Sequence, residues 1–428
     1  MVKINSIYIH GYRNIVNTKL NLLEKLSVLI APNNYGKTNV LHSINFAAEL
    51  ISSGEDWQEN MIRANGYLSD NKDNPPESFK FSIGFLTDGR DALVDNDWLD
   101  ASAFRGKSKM YNVKYEFDIS PKKGVIYECL TVGNDDIFIR KNDVLSISEA
   151  NNKYGRFNLV VSNTFWPSEK IEMTVFTRIT RRVFANLEGI LSDDEGQFNE
   201  KPQDRENKNI SYLFNLMKRE RGRPSKDKMT LMEEYQRDFN RLFPSIHSFL
   251  IRDVRSGNEI VRAPIDSDGL YAGYYKILFD TETKRNKEMF SRLSTGTRRI
   301  FSILLAVYRS KMKPIMCIEE LENGIHPMLH GDMLNLLDRI CENAKVILTS
   351  HSPAIIRNFG LNRNRSFYVG IPNKDGYATF LPIDKEKLAE IDEKAASLDM
   401  SMGELLFDMM YSGSEDREEE LRGWLKAG

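Results

Sequence analysis

The spacing of hydrophobic and polar residues changes along the chain and predicts where strands and helices lie. Residues 1–30 alternate between apolar and polar positions around the turn-like segment 11–14, which predicts two strands, and the second is apolar throughout near its end. Apolar residues then recur at helical spacing to about Ile51. We therefore expect a buried strand that leads through a short loop into an amphipathic helix.

Short alternating runs separated by turn residues occupy the region from residue 79 to about 149. Four runs, at 79–85, 115–119, 125–130 and 137–140, are separated by segments rich in Gly, Pro, Asn and Asp. This pattern predicts an antiparallel β lobe. From about 179 to 242 the chain is charged and has helical spacing, and Pro244 ends that region.

Strands and helices alternate again after about residue 274. The pattern predicts a helix over 298–309, a strand over 315–318, a helix over 328–342 and strands over 346–349 and 367–369. Such alternation is typical of a mostly parallel sheet covered by helices. The expected fold class is therefore α/β, with a mixed sheet, an antiparallel β lobe and a helical insertion.

Composition changes this picture little. The 428 residues are 41% hydrophobic and 28% charged with a formal net charge of −2, so affinity for nucleic acid would have to come from a local patch. The N-terminus lacks the apolar run of a signal peptide, and no later stretch reaches the length of a membrane span, so we expect a cytoplasmic protein without a membrane partner. Cys129, Cys317 and Cys341 are scattered and are expected to be buried, reduced thiols.

The segment from Ala31 to Thr38 matches the phosphate-binding pattern GxxxxGK[ST] except that Ala31 replaces the first Gly. In such a loop backbone N–H groups and a helix N-terminus surround the phosphates, Lys37 neutralises them and the Thr38 hydroxyl ligates Mg²⁺. Either position 31 is not left-handed here or some strain is tolerated. The residues predicted to bind ATP are Asn33, Asn34, Tyr35, Gly36, Lys37, Thr38 and Asn39.

Two acidic residues follow the predicted strand at 315–318. Carboxylates at the end of a buried strand are costly unless a cation or a proton needs them. Beside a Mg²⁺–nucleotide, Glu319 would hold the metal and Glu320 would orient or deprotonate the attacking water. The alternative is an acidic turn that caps the next helix.

Two further polar segments have both a structural and a functional interpretation. His351 ends the predicted strand 346–349 and is either an ordinary strand-end residue or a sensor of the γ-phosphate. Ser294, Thr295 and Gly296 open a helix, as a plain N-cap would, but a helix N-terminus is also a site for anions.

Taken in order, the phosphate loop, LSTGT at 293–297, IEELENGIHP at 318–327 and LTSHSP at 348–353 resemble the motifs of an ATP-binding-cassette (ABC) ATPase head. The variant resembles the soluble branch that contains RecF, SMC proteins and the OLD-type ATPases, and the motifs cover about a third of the chain, at both ends. In that family two heads enclose two ATP molecules, which implies that Ser294, Thr295 and Gly296 complete the partner's site in trans. Arg13 matches the basic residue of the family's opening turn and would approach the nucleotide, although a surface arginine in a turn is an equal alternative.

The resemblance also suggests how the chain is divided. The expected regions are 1–65 for the N-terminal half of the head with the phosphate loop, 66–178 for the β lobe, 179–245 for a short arm or dimerisation lobe, 246–375 for the C-terminal half with the remaining motifs, and 376–428 for a helical tail. The tail is expected to contain a strand over 378–383 and two helices. No glutamine can be assigned to the loop that links the nucleotide to the lobe in this family.

The helical insertion contains an RGRP sequence that resembles an AT-hook, which makes Arg221, Arg223 and Lys226 candidates for contact with DNA. Because Glu220 and Asp227 flank it, a solvated turn is the alternative. Residues after 369 are too few for the nuclease domain of OLD-type proteins, and their acidic run is expected on a solvated helix, so no intrinsic nuclease is expected.

The function predicted from these features is that of a homo-oligomeric ATPase whose ATP-dependent head association controls a separate effector protein or senses nucleic acid, as in bacterial anti-phage systems. One alternative is a RecF-like DNA-repair ATPase without an effector. Another is an ATP-dependent scaffold that hydrolyses slowly, which the intact Glu320 argues against.

Overall fold

The computed structural model describes residues 2–52, 76–88, 110–142, 144–147, 180, 183–184, 202–219, 230–260, 275–282, 287–310, 315–341, 344–360, 365–373 and 375–426. Fifteen strands are assigned in this part of the chain: β1 Val2–His10, β2 Thr18–Asn21, β3 Leu26–Ile30, β4 Phe79–Thr87, β5 Tyr111–Ser120, β6 Gly124–Val132, β7 Asp135–Lys141, β8 Val144–Ile147, β9 Ile246–Asp253, β10 Tyr275–Thr281, β11 Glu288–Met289, β12 Ile315–Ile318, β13 Lys345–Ser350, β14 Arg365–Pro372 and β15 Ala378–Pro382. The α-helices whose bounds lie within the described residues are α1 Lys37–Ser52, α2 Pro202–Arg219, α3 Leu231–Leu242, α4 Thr295–Ser310, α5 His330–Ile340, α6 Pro353–Gly360, α7 Leu388–Ser397, α8 Met402–Tyr411 and α9 Glu415–Gly423.

A five-stranded sheet forms the centre of the fold, in the order β12-β13-β3-β14-β15. The first four strands are parallel and β15 is antiparallel to β14. Every residue of β3 and β12 is buried, as expected of strands that are covered on both faces. The mixed α/β sheet predicted from the sequence is therefore confirmed.

The two faces of this sheet belong to different hydrophobic cores, and β3 shows the alternation. Val28 packs in a core with α2 to α6, whereas its neighbour Leu29 packs in a core with α1 and the antiparallel strands. Successive side chains of a strand point to opposite faces, so one strand contributes to both cores.

A seven-stranded antiparallel sheet in the order β2-β1-β4-β5-β6-β7-β8 lies beside the central sheet. The predicted β lobe is therefore continuous with the N-terminal strands, and the expected boundary between 65 and 66 does not separate two sheets. The two sheets are joined by a bridge between Ile15 and Ala378 and by the Tyr368 hydroxyl, which bonds to the backbone of Asn21.

The described helices of the insertion do not project as an arm. Apolar residues of α3 and α2 are buried in the same core as α4, and the Tyr235 hydroxyl donates to the Phe301 carbonyl at 2.9 Å. A ring cluster fixes this packing, since Tyr235 lies edge-on to Phe249 and Phe301. The core that contains α4 thus includes α2 and α3 of the predicted insertion.

The C-terminal region differs from the expected helical tail in two respects. Its strand β15 is an edge strand of the central sheet, so the expected boundary between 375 and 376 falls inside the β14–β15 hairpin. Three helices follow, where the sequence predicted two. Helix α8 packs on α6 so closely that a Cβ on Gly403 would lie 2.5 Å from the Pro353 carbonyl oxygen.

Candidate functional site

The phosphate loop connects β3 to α1 over residues 31–36, and its backbone turns at two positions with positive φ angles. Asn34 and Gly36 have positive φ angles of 66° and 92°, whereas Ala31 does not adopt the left-handed region. Asn and Gly tolerate that region best, so the loop turns without strain at position 31. The departure from the motif is therefore accommodated because this turn does not need a glycine there.

Lys37 begins α1 and its side chain bends back over the loop. Its Nζ donates to the carbonyl oxygens of Ala31 at 2.7 Å and Pro32 at 3.2 Å. Burial lowers the pKa of Lys37, and the carboxylates of Glu320, Glu322 and Glu319 oppose this effect. A bound polyanion would offset the cost of burying this ammonium group.

The carboxyl ends of β3, β12 and β13 lie side by side, and this brings the predicted residues together. The Thr38 hydroxyl donates to the Glu319 carboxylate beyond the carboxyl end of β13, which lies between β3 and β12 in the sheet. A hydroxyl and a carboxylate are oxygen ligands of the kind that Mg²⁺ prefers, so the donor set fits this ion. Within the described ranges, no group of three or more His, Cys, Asp and Glu side chains is arranged to hold a metal ion.

Glu320 has an unusual backbone conformation with φ of 43°. Its N–H donates to the Thr349 hydroxyl on β13 at 2.9 Å, and its carbonyl accepts from Arg299 at the same distance. Its carboxylate accepts from the Asn323 amide and lies 3.6 Å from Nδ1 of His351. The side chain predicted to activate water is therefore close to the histidine predicted to sense phosphate.

Glu322 organises the loop that carries His351. One oxygen, Oε1, accepts from the Ser350 hydroxyl at 2.9 Å and from the His351 N–H at 2.7 Å, and lies 3.4 Å from the imidazole Nδ1. The sequence reasoning missed both Glu322 and Arg299. The only signal available was a third acidic residue in the segment that follows β12 and a second arginine shortly after the polar segment LSTGT.

Ser294, Thr295 and Gly296, predicted to complete a partner's site and called the signature residues below, open α4 at the surface of this chain. The Ser294 hydroxyl accepts from the Thr297 N–H at 3.1 Å, as an N-cap does, and Ser294 and Thr295 are exposed. Gly296 has a local packing role, because a Cβ there would lie 2.2 Å from the Gly324 carbonyl oxygen. This contact agrees with the N-cap interpretation, and the role of these residues in trans stays a prediction.

Arg13 has φ of 50° and braces the phosphate loop. Its guanidinium donates to the Asn39 side-chain oxygen at 2.8 Å, and the Asn39 amide donates to Asn14 at 2.8 Å. A Cβ on Gly36 would lie 2.5 Å from the Asn14 side-chain oxygen, so this turn touches the loop directly. Asn33 and Asn34 are exposed and Tyr35 is half-buried at the mouth of the loop.

Some predictions concern residues outside the described ranges. Arg221, Arg223 and Lys226 lie there, so the candidate AT-hook stays a prediction. The acidic run at 415–420 lies on α9 and is largely exposed, as expected. No helix in the described part of the chain is long and apolar enough to cross a membrane.

Comparisons with known proteins agree with this geometry. Residues 171–357 match the protein family described as "AAA domain, putative AbiEii toxin, Type IV TA system". The structure is similar to that of an SMC head bound to the C-terminal winged-helix domain of ScpA, with a TM-score of 0.53 and 12% identity over 91% of this chain and 99% of that one. It is also similar to an SMC head with an extended coiled coil, bound to the C-terminal domain of ScpA and derived from Pyrococcus furiosus, with a TM-score of 0.51 and 12% identity over 92% of this chain and 99% of that one. No curated protein matches the sequence. The chain therefore has the fold of an SMC head domain.

Proposed function

We propose that this chain binds ATP with Mg²⁺ and hydrolyses it in the site at the ends of β3, β12 and β13. The observation that carries the proposal is the contact between the Thr38 hydroxyl and the Glu319 carboxylate, with Lys37 and Glu320 beside it. It joins the two halves of a phosphate and metal site that are separated by most of the chain.

Each side chain has a distinct part in the proposed reaction. Lys37 exchanges its contacts to the loop carbonyls for phosphate oxygens, while the N-terminus of α1 faces the same anion. Thr38 and Glu319 would hold Mg²⁺, which supplies positive charge beside the phosphates when bound. Glu320 orients the attacking water and accepts its proton. His351, whose imidazole lies beside the Glu320 carboxylate, contacts the γ-phosphate.

The proposed catalytic unit is a pair of heads. Ser294 and Thr295 are exposed at the N-terminus of α4, where free N–H groups favour an anion. A second copy of this chain would bring its nucleotide to that helix, so that each head completes the other's site.

The proposed biological role is that head association controls a separate effector, such as a nuclease or a toxin, or senses DNA, in the cytoplasm and in anti-phage defence. Support comes from the matched family, whose description names a toxin of a toxin–antitoxin system, and from SMC heads that were solved with a bound ScpA domain. A RecF-like repair ATPase is the alternative. Mass spectrometry of proteins that co-purify with the native chain separates the two, since a stoichiometric effector supports the first and repair factors the second.

Two variants test hydrolysis. Lys37→Ala should weaken ATP binding, whereas Glu320→Gln should bind ATP normally and lose turnover, because only the proton acceptor is removed. Turnover at the wild-type rate by Glu320→Gln would refute the assigned mechanism.

Mixing two inactive variants tests the paired site. Lys37→Ala damages the loop and Ser294→Arg blocks the signature of the same chain, so a mixed dimer retains one intact composite site. Partial recovery of ATPase activity on mixing supports the paired site. Absence of recovery, with subunit exchange shown by fluorescence energy transfer, counts against it.

A further inference from the structure

Arg299 lies in the second turn of α4, and only 2% of its surface is exposed. Its Nη2 donates to the carbonyl oxygens of Glu319 at 3.0 Å and Glu320 at 2.9 Å. A buried guanidinium is costly unless it meets acceptors. The acceptors here are the main-chain carbonyls of the two residues whose side chains are assigned to metal binding and water activation.

The backbone that Arg299 holds is strained. Glu320 has φ of 43°, and for a residue with a Cβ the left-handed region costs roughly 1–2 kcal/mol. Such a conformation persists only where the surroundings fix it. Arg299 donates to the Glu320 carbonyl, and the Glu320 N–H donates to the buried Thr349 hydroxyl at 2.9 Å.

A second contact ties α4 to the same turn. A Cβ on Gly296 would lie 2.2 Å from the Gly324 carbonyl oxygen, so the first turn of the helix rests directly on the segment after Glu320. The first two turns of α4 therefore contact both ends of the turn: Gly296 lies against Gly324, and Arg299 bonds to Glu319 and Glu320.

We propose that Arg299 is a positioning residue, which holds Glu320 in its left-handed conformation and ties the catalytic carboxylate to the signature helix of the same chain. The inference rests on the proposed function, in which Glu320 activates water. Without the guanidinium, two carbonyls lose a buried donor and the turn relaxes towards an ordinary φ. This relaxation moves the Glu320 carboxylate relative to the loop, although Arg299 itself touches no substrate.

The test is a double-mutant cycle between Arg299 and Glu320 with single-turnover ATP hydrolysis as the readout. Arg299→Met should slow hydrolysis by about 10- to 100-fold, because a small displacement of a catalytic group has an effect of that size. In the Glu320→Gln background the same change should alter the residual rate by less than about twofold, since the group that it positions is already absent. The affinity for ATP should stay within about threefold of wild type in both backgrounds.

Conservative variants separate positioning from folding. Arg299→Lys keeps the charge with a single donor group and should recover part of the rate. Thr349→Val removes the hydroxyl that accepts from the Glu320 N–H, so it should slow hydrolysis in the wild-type background but not in the Glu320→Gln background. Thr349→Ser keeps the hydroxyl and should not slow hydrolysis. Arg241→Met is the matched control, because that side chain is 58% exposed on α3. If Arg299→Met does not fold, Arg299→Lys and the two Thr349 variants decide the question.

Each outcome has a defined meaning. Equal slowing by Arg299→Met in both backgrounds would overturn the positioning role and show a general structural one. Hydrolysis at the wild-type rate by a folded Arg299→Met would overturn it too. A wild-type protein that hydrolyses ATP no faster than Glu320→Gln would instead refute the proposed function, and the inference would fall with it.

Discussion

Gly370→Ala tests how this fold accommodates an alanine in its phosphate loop. Gly370 lies on β14, between β3 and β15, and a Cβ there would be 2.8 Å from the Ala31 Cβ and 2.8 Å from two ring atoms of Phe380. Carbon atoms in good contact are about 3.5–4.0 Å apart, so the neighbours would have to yield by about 1 Å. Hydrogen bonds on both edges of β14 oppose that movement.

The expected cost of Gly370→Ala is about 1–3 kcal/mol of unfolding free energy, the usual range for overpacking a filled core. Urea denaturation followed by circular dichroism measures it. Binding of a fluorescent ATP analogue should weaken as well, because the Ala31 carbonyl that holds Lys37 is displaced. Gly423→Ala is the control, since no heavy atom lies within 4 Å of a Cβ at that position.

The double variant Ala31→Gly/Gly370→Ala gives the sharper result. It removes one of the two clashes and should recover stability with a coupling energy of about 0.5–3 kcal/mol, while the Phe380 contact remains. The reasoning is refuted if Gly370→Ala is as stable as wild type. It is also refuted if the unfolding free energy of the double variant is no higher than the value obtained by adding the effects of the two single substitutions.

Three further predictions follow from other parts of the structure. Glu322→Gln should keep ATP affinity but slow hydrolysis by about tenfold, because the His351 loop loses its charged anchor; equal rates for this variant and wild type would contradict that role. Burial of Asp238 raises its pKa, but hydrogen bonds from Tyr308 and Arg339 outweigh burial and leave the pKa below its usual value. Its stabilising effect is therefore present above pH of about 4 and is lost as the pH falls through the lowered pKa, so the stability gap between wild type and Asp238→Asn in urea titrations should close in acid. Purified protein with Mg²⁺ or Mn²⁺ and ATP should leave DNA and RNA intact, and cleavage that follows the protein through chromatography and survives Glu320→Gln would overturn this expectation.

The sequence predicted the central sheet well because buried parallel strands have a simple signature. The apolar runs before the phosphate loop and before Glu319 are continuous, and each is followed by polar residues of a recognised motif. Parallel strands place their carboxyl ends at one edge of a sheet, so the motifs also predicted a shared site. The Thr38 to Glu319 contact agrees with that prediction.

The neighbours of the other elements could not be predicted in the same way. Alternation in β1 shows that one face is buried, but it does not say that β4 is the partner strand. Likewise, Tyr235 and Phe239 mark an apolar face on α3, and the same spacing suits an arm that dimerises or a helix packed on its own head. The structure shows the second arrangement, with both rings against Phe301.

By itself the sequence determined the chemistry available to this protein: a lysine and a threonine after a phosphate loop, two carboxylates after one strand and a histidine after another. Only the tertiary structure decided which groups act together, because Arg299 and Glu322 resemble any other charged residues until their acceptors and donors are known. It also decided that Ala31 is tolerated, since the φ of a loop residue and the fit of the Ala31 methyl group against Gly370 depend on strands that are far apart in the chain. Local sequence patterns indicate the chemistry of each side chain, whereas the contacts that it makes depend on elements that only the folded chain brings together.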